Sequence, residues 1–87
     1  MAADVNPEVQ RHLLMVAGLV QGVGFRPHVF RLATKFQLHG FVRNEIGGVR
    51  IEVQGLPARL QEFAVELVSA APPLAKIAAV QNATVPL

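Results

Sequence analysis

A glycine-bearing loop followed directly by an arginine is the part of the sequence best suited to chemistry. The segment "QGVGFRP" separates Gly22 from Gly24 by one residue and places Arg26 two residues further on. Glycine adopts left-handed backbone conformations at no steric cost, so successive N–H groups of such a loop can point at one spot. The positive end of a following helix favours an anion there, and a guanidinium offers a fork of donors suited to phosphate oxygens. The pattern is compatible with a site for one phosphate-like anion.

Two familiar phosphate loops are excluded by the same residues. A dinucleotide fingerprint needs a third glycine where this chain has Pro27, and a Walker loop needs a lysine followed by serine or threonine. Taken alone, the segment is more typical of an ordinary turn with Arg26 in solvent, and local composition favours that simpler interpretation.

The elements that must position this loop follow from the hydrophobic pattern. The short apolar run "HLLMVAG", residues 12–18, predicts a central strand that the loop 19–24 ends. Pro27 suits the first turn of a helix, and an apolar stripe at helical spacing follows it. Gly40 is expected to mark the exit of this helix.

The second half of the chain predicts two more strands, a helix and a last strand. "GFVRN" and the turn "EIGG" lead to the clearest strand, in which three apolar residues alternate with polar ones: Val49, Ile51 and Val53. Pro57 opens a second helix that Pro72-Pro73 stops, and "LAKIAAVQNATV" is a weaker strand. The order is βαββαβ, which predicts an α+β fold: a two-layer ferredoxin-like sandwich with an antiparallel four-stranded sheet.

This topology allows a second polar residue to join the loop. The crossover keeps the first two strands parallel, so the ends of both lie at one edge of the sheet, and Arg26 and Asn44 can converge there. By itself, Asn44 ahead of "EIGG" is ordinary turn chemistry. Glu45 is expected to face away from any anion, because it would repel it. His28 is expected to be solvated or to cap a helix, and Phe30 and Phe36 are expected to lie in the core.

The bulk properties limit the class of protein. The 87 residues form one domain, with a flexible leader expected at 1–10 and the folded domain at 11–87. No apolar run reaches the roughly 20 residues that span a bilayer, and the start lacks a signal-peptide pattern. Cysteine is absent and no histidines have metal-ligand spacing, so we expect a cytoplasmic setting without a metal or cofactor. The net charge of +2 comes from scattered basic residues, and "VRIEVQ" offers no aromatics for stacking RNA bases, so neither a nucleic-acid nor a membrane partner is expected.

Three motifs in order resemble the acylphosphatase pattern over roughly residues 12–82: "VQGVGFR", "FQLHGFVRN" and "GGVRIEVQG". More narrowly, "FRPHVFRLA" and "APPLAKI" are similar to the N-terminal domain of the carbamoyltransferases that mature NiFe hydrogenases. The chain departs from the family pattern at Gln37, where the helix exit is usually glycine, and at Phe41, where tryptophan is usual.

The resemblance implies a role for each site residue. Arg26 and the backbone of the loop would bind the phosphate, the loop residues being Gln21, Gly22, Val23, Gly24 and Phe25. Asn44 would position the attacking water.

The resemblance also implies a function. The chain would hydrolyse an acyl phosphate, with carbamoyl phosphate expected, as the first step of carbamoyl transfer in hydrogenase maturation. It would have been cut from a larger polypeptide whose later domains, together with hydrogenase maturation proteins, are its partners. Two alternatives remain open: a stand-alone acylphosphatase, and a non-catalytic docking or regulatory module of the same fold.

Overall fold

Two helices pack on one face of a four-stranded sheet in the computed structural model of the protein, which describes residues 8–87. The elements follow the order β1 (Gln10–Leu19), α1 (Phe25–Lys35), β2 (His39–Glu45), β3 (Gly48–Gly55), α2 (Pro57–Ser69) and β4 (Lys76–Val85). The leader expected at 1–10 lies mostly outside the described residues, and Gln10 is already the first residue of β1.

The sheet confirms the predicted ferredoxin-like topology. Its strand order is β2-β3-β1-β4, and every neighbouring pair is antiparallel. Because β1 and β2 both run against β3, they are parallel to each other and end at the same edge of the sheet. This edge carries the loop after β1 on one side and the β2–β3 turn on the other.

The alternation in β3 sets the register of the core as the sequence predicts. Val49, Ile51 and Val53 are at most 2% exposed. In the neighbouring strand β1, Val16 lies opposite Val49 and Leu14 lies opposite Ile51. Burial of these side chains between sheet and helices supplies the main favourable term for folding. The helices contribute the rest of the core, chiefly Phe25, Val29, Leu32, Phe36, Leu60, Phe63 and Leu67.

The first helix departs from expectation at Phe30, while His28 takes one of the two roles expected for it. Phe30 is 62% exposed, whereas Phe36 is buried as expected. His28 is not solvated but is placed to cap a helix: it is 4% exposed, and its Nε2 lies 3.1 Å from the main-chain oxygen of Leu67 in the last turn of α2. The phase of the helix explains both positions. His28 lies three residues after the buried Phe25 and therefore on the same face, whereas Phe30 is rotated by about 100° away from the buried stripe.

The first helix also ends earlier than predicted. It stops at Lys35, and Gly40 lies inside β2. Gln37 holds the left-handed conformation that ends the helix (φ 58°), while the N–H groups of Gln37 and Leu38 donate to the carbonyls of Thr34 (3.2 Å) and Ala33 (2.8 Å). This is the Schellman arrangement, in which glycine is the usual residue at the left-handed position.

Within residues 8–87, neither helix has the length and apolar character needed to cross a membrane.

Candidate anion-binding site

The loop between β1 and α1 has the backbone geometry of an anion cradle. Gly22 and Gly24 are left-handed (φ 75° and 82°), while Val23 between them is not. When residues of a short segment alternate between left-handed and right-handed backbone conformations, their successive N–H groups turn toward one side. A Cβ added at either glycine would meet no atom within 4 Å, so the backbone conformation, not the available space, requires glycine at both positions.

The start of α1 adds positive character to the same place. Gly24 is the N-cap residue and provides no side chain to cap the first amides, and the first turn contains no acidic residue. The N–H groups at a helix start have no partner within the helix, so those of Phe25 and Arg26 are available to a ligand. Pro27 has no N–H to offer.

Arg26 and Asn44 line one shallow depression at this edge of the sheet, as the parallel arrangement of β1 and β2 predicts. The depression has a volume of about 190 Å³ and is otherwise lined by the loop and the helix start, namely Val20, Gln21, Gly22, Gly24, Phe25 and Pro27. This is smaller than the roughly 300–1,000 Å³ of pockets for drug-sized ligands. It suits a small anion and is too small for a nucleotide.

Two of the polar side chains that line the depression, those of Arg26 and Asn44, are available to a ligand. Arg26 is exposed and forms no ion pair within the described part of the chain. Asn44 shares the helix-covered face of the sheet with its register partner Val49, yet its side chain is exposed because it lies at the end of β2. Together they can offer a charged fork and an amide to one bound group.

No carboxylate or imidazole lines the depression among residues 8–87. Glu45 follows Asn44 and therefore lies on the opposite face of the sheet, where its Oε2 is 3.2 Å from Nε of Arg43. His28 is buried toward α2. The lining therefore suits an anion, and among residues 8–87 it includes no side chain suited to act as a general base.

The side chains of two loop residues were not given roles by the sequence. Val23 does not line the depression, and its side chain is half-buried against the core. The side-chain amide of Gln21 donates from Nε2 to the carbonyl oxygens of Glu45 (2.7 Å) and Gly48 (2.9 Å). One signal pointed to Gln21: it is the only polar side chain in "LVQGVGF".

The arginines on the open face of the sheet differ from Arg26 because they are paired. Arg11 Nε lies 2.9 Å from Oε1 of Glu52, and Arg50 Nη2 lies 3.2 Å from Oε2 of the same carboxylate. The hydrogen bond from Arg11, followed by that from Arg50, holds the pKa of Glu52 below its ordinary value. Both guanidinium groups already donate to this one carboxylate, which compensates part of their positive charge.

Residues 8–87 contain no group of three or more histidine or acidic side chains placed to hold a metal ion.

Sequence comparisons place the chain beside two kinds of protein. The model of the acylphosphatase family matches residues 13–86. The carbamoyltransferase HypF2 of Cupriavidus necator is 51% identical over 72 residues, which are 83% of this chain and 9% of that protein. The acylphosphatase of Pseudothermotoga lettingae is 38% identical over 74 residues, which are 84% of this chain and 82% of that protein.

Solved structures give the same two groups. Full-length HypF in a phosphate- and nucleotide-bound form matches with a TM-score of 0.91 and 37% identity over 97% of this chain and 11% of that one. The acylphosphatase from Coxiella burnetii matches with a TM-score of 0.83 and 29% identity over 91% and 83% of the two chains. The chain thus spans about a tenth of the length of the carbamoyltransferases it matches.

Proposed function

The chain belongs to the acylphosphatase family, and from this membership we propose that it binds and hydrolyses an acyl phosphate at the depression beside Arg26. The resemblance described from the sequence is confirmed at the level of the family. The observation that carries the proposal is the convergence of Arg26, the left-handed glycine loop and Asn44 on one small depression, which no carboxylate of residues 8–87 lines.

The proposed binding step uses main-chain and guanidinium donors. The N–H groups from Gln21 to Phe25 and the fork of Arg26 would hold the three non-bridging oxygens of the phosphoryl group. The main-chain donors are held by the loop before the substrate arrives, so they can stabilise the charge that shifts among the oxygens in the transition state. Phosphoryl transfer is largely dissociative, so its catalysis chiefly requires neutralisation of the charge on the phosphoryl oxygens and alignment of the reacting groups.

The proposed chemical step places a water molecule in line with the leaving group. The Asn44 side chain would orient this water, whose oxygen forms the new bond to phosphorus while the bond from phosphorus to the acyl oxygen breaks. One proton of the water stays on the new oxygen, and the other ends on a phosphoryl oxygen of the phosphate product. The electron pair leaves with a carboxylate or carbamate, a good leaving group that needs little help from an acid. The amide of Asn44 is only weakly basic, but this is sufficient because its proposed role is to orient the nucleophile and not to remove a proton.

The finer proposal is that the substrate is carbamoyl phosphate. We propose that the domain acts as the first part of a longer carbamoyltransferase that passes carbamate onward during hydrogenase maturation, in the cytoplasm. Its support is the 51% identity with the carbamoyltransferase of C. necator, together with the "FRPHVFRLA" and "APPLAKI" segments. The proposed partners are the later domains of that polypeptide and the hydrogenase maturation proteins.

A stand-alone acylphosphatase is the second candidate. The observation that favours it is the match to the P. lettingae enzyme over 82% of that protein's length. Substrate preference distinguishes the two: the first candidate predicts a higher kcat/KM for carbamoyl phosphate than for acetyl phosphate, and the second predicts no such preference.

Turnover and phosphate affinity together test the proposed roles. We expect Asn44→Ala to lower turnover about 10²-fold, the loss that misplacing a nucleophile can cause, with phosphate affinity nearly unchanged. Arg26→Ala should lower both quantities. The control Asn82→Ala changes an exposed asparagine of β4 and should change neither.

Hydrolysis that stays at background in the parent chain would contradict catalysis by this domain and favour a docking module. A normal turnover in Asn44→Ala would contradict the water-positioning role. The same substitutions in the longer carbamoyltransferase, with hydrogenase maturation as the readout, test the finer proposal.

A further inference from the structure

The side chain of Gln21 connects two segments that the proposed mechanism must hold in register. Gln21 lies in the loop of the cradle, and its Nε2 donates to the carbonyls of Glu45 (2.7 Å) and Gly48 (2.9 Å). Glu45 and Gly48 are the last register pair of the β2–β3 hairpin and flank its turn. Both acceptors are carbonyl oxygens, so the end of the side chain that faces them must be the NH₂ group, which uses both of its hydrogens.

Asn44 depends on this hairpin for its position. Its side chain makes no hydrogen bond to any residue from 8 to 87, so the main chain of β2 is what holds Asn44 near the loop. The next residue in the chain, Glu45, carries the shorter of the two Gln21 contacts. A main-chain bond from Gly18 N–H to the Gly47 carbonyl (3.0 Å) joins the end of β1 to the same turn.

We propose that the Gln21 side chain is a positioning residue that sets the distance between the anion cradle and Asn44. This inference rests on the proposed function of the site. The loop amides and Arg26 fix the phosphorus, while Asn44 fixes the water, and the two groups come from different elements. Gln21 is the side chain that bonds one segment directly to the other, so it aligns the water with the phosphorus without touching either.

The inference separates binding from catalysis. Removing the amide leaves the backbone cradle and Arg26 in place, so the ground-state phosphate loses no direct contact. The hairpin gains freedom, and the water is then aligned for a smaller share of the time. Misalignment of this kind lowers kcat and has little effect on KM.

Gln21→Met tests the idea because it keeps the length of the side chain and removes both donors. We expect kcat to fall about 10-fold, within the range for a small misplacement of reacting groups, and KM and phosphate affinity to stay within about twofold. The control Gln61→Met changes an exposed glutamine of α2 and should leave kcat unchanged.

A double-mutant cycle distinguishes positioning from general structural damage. If Gln21 acts through Asn44, adding Gln21→Met to Asn44→Ala should cause little further loss of kcat, because residues that act as a unit are not additive. A further loss equal to that of the single Gln21 variant would overturn the inference. A fall in phosphate affinity equal to the fall in kcat would also overturn it, since the amide would then serve the cradle itself.

NMR relaxation of the ligand-free chain provides a readout that does not depend on activity. Gln21→Met should lower the backbone order of residues 44–48, and Gln61→Met should not. Unchanged backbone order at residues 44–48 would contradict the proposal that Gln21 holds the hairpin in place. A parent chain without hydrolysis would instead contradict the proposed function, and the relaxation result would still decide whether Gln21 holds the hairpin.

Discussion

Arg26 is expected to bind the phosphoryl group through its geometry as well as its charge. Arg26→Lys keeps the charge but replaces a planar fork with a single ammonium, so two parallel hydrogen bonds to one phosphoryl group are lost. We expect phosphate affinity to fall about 10-fold, which corresponds to about 1.4 kcal/mol. Thermal stability should change little because the side chain is exposed. Calorimetric titration with phosphate and a melting curve provide the two measurements.

Arg31 offers the matched control for this substitution. It is also exposed on α1, lies five residues further along and forms no ion pair within residues 8–87. Arg31→Lys should leave phosphate affinity unchanged. Equal affinities for the Arg26→Lys variant and the parent would mean that charge alone, not the fork, binds the anion.

The individual residues show where sequence reasoning succeeded and where it stopped. The convergence of Arg26 and Asn44 was predictable because it follows from parallel strands ending at one edge. The burial of His28 and the exposure of Phe30 depend on the phase of a helix, and a shift of one residue changes the side a residue faces. The contacts of Gln21 join residues 24 and 27 positions apart, and no local pattern encodes them.

At the level of elements, the backbone at the end of α1 is strained, and one substitution can relieve that strain. Gln37 is left-handed, and a side chain there clashes with its own backbone in a way that glycine avoids. We expect Gln37→Gly to raise the free energy of unfolding by about 0.5–1 kcal/mol, since the relief of roughly 1–2 kcal/mol is partly offset by the greater freedom of glycine when unfolded. Urea denaturation measures the change.

Phosphate affinity should be unaffected by Gln37→Gly, because the residue lies at the far end of α1 from Arg26. A loss of stability would contradict the assigned conformation of the helix end. The sequence pointed to this position through the family's usual glycine, but placed the helix exit at Gly40. The boundary was missed because glycine was expected at the helix exit, whereas Gln37 adopts the left-handed conformation there and Gly40 belongs to β2.

The order and type of the elements were predictable as a set. The strict alternation in β3 and the prolines that open or stop helices are local signals, and together they leave one natural topology. The turn after β1 was predictable as a loop, whereas its function was not. A glycine loop before an arginine becomes a candidate site only when a second strand brings Asn44 to the same depression.

At the scale of the whole molecule, the arrangement of charges favours one anion site over another. Three arginines of the open sheet face each lie within 3.2 Å of a carboxylate: Arg11, Arg43 and Arg50. Arg26 lies at the edge of the sheet and has no such partner in the region that the structure describes. These three guanidinium groups already donate to two carboxylates, Glu45 and Glu52, which repel an anion, so the account predicts binding at the edge and not on the open face.

Titration of the isotope-labelled chain with inorganic phosphate, followed by NMR, tests this claim most directly. The account predicts saturable shifts concentrated at the N–H groups of residues 21–26 and at the Arg26 guanidinium, and their loss in Arg26→Ala. The measurement does not require the domain to turn over substrate. Shifts centred on Arg11, Arg43 and Arg50, or no saturable shift near the loop, would contradict the account.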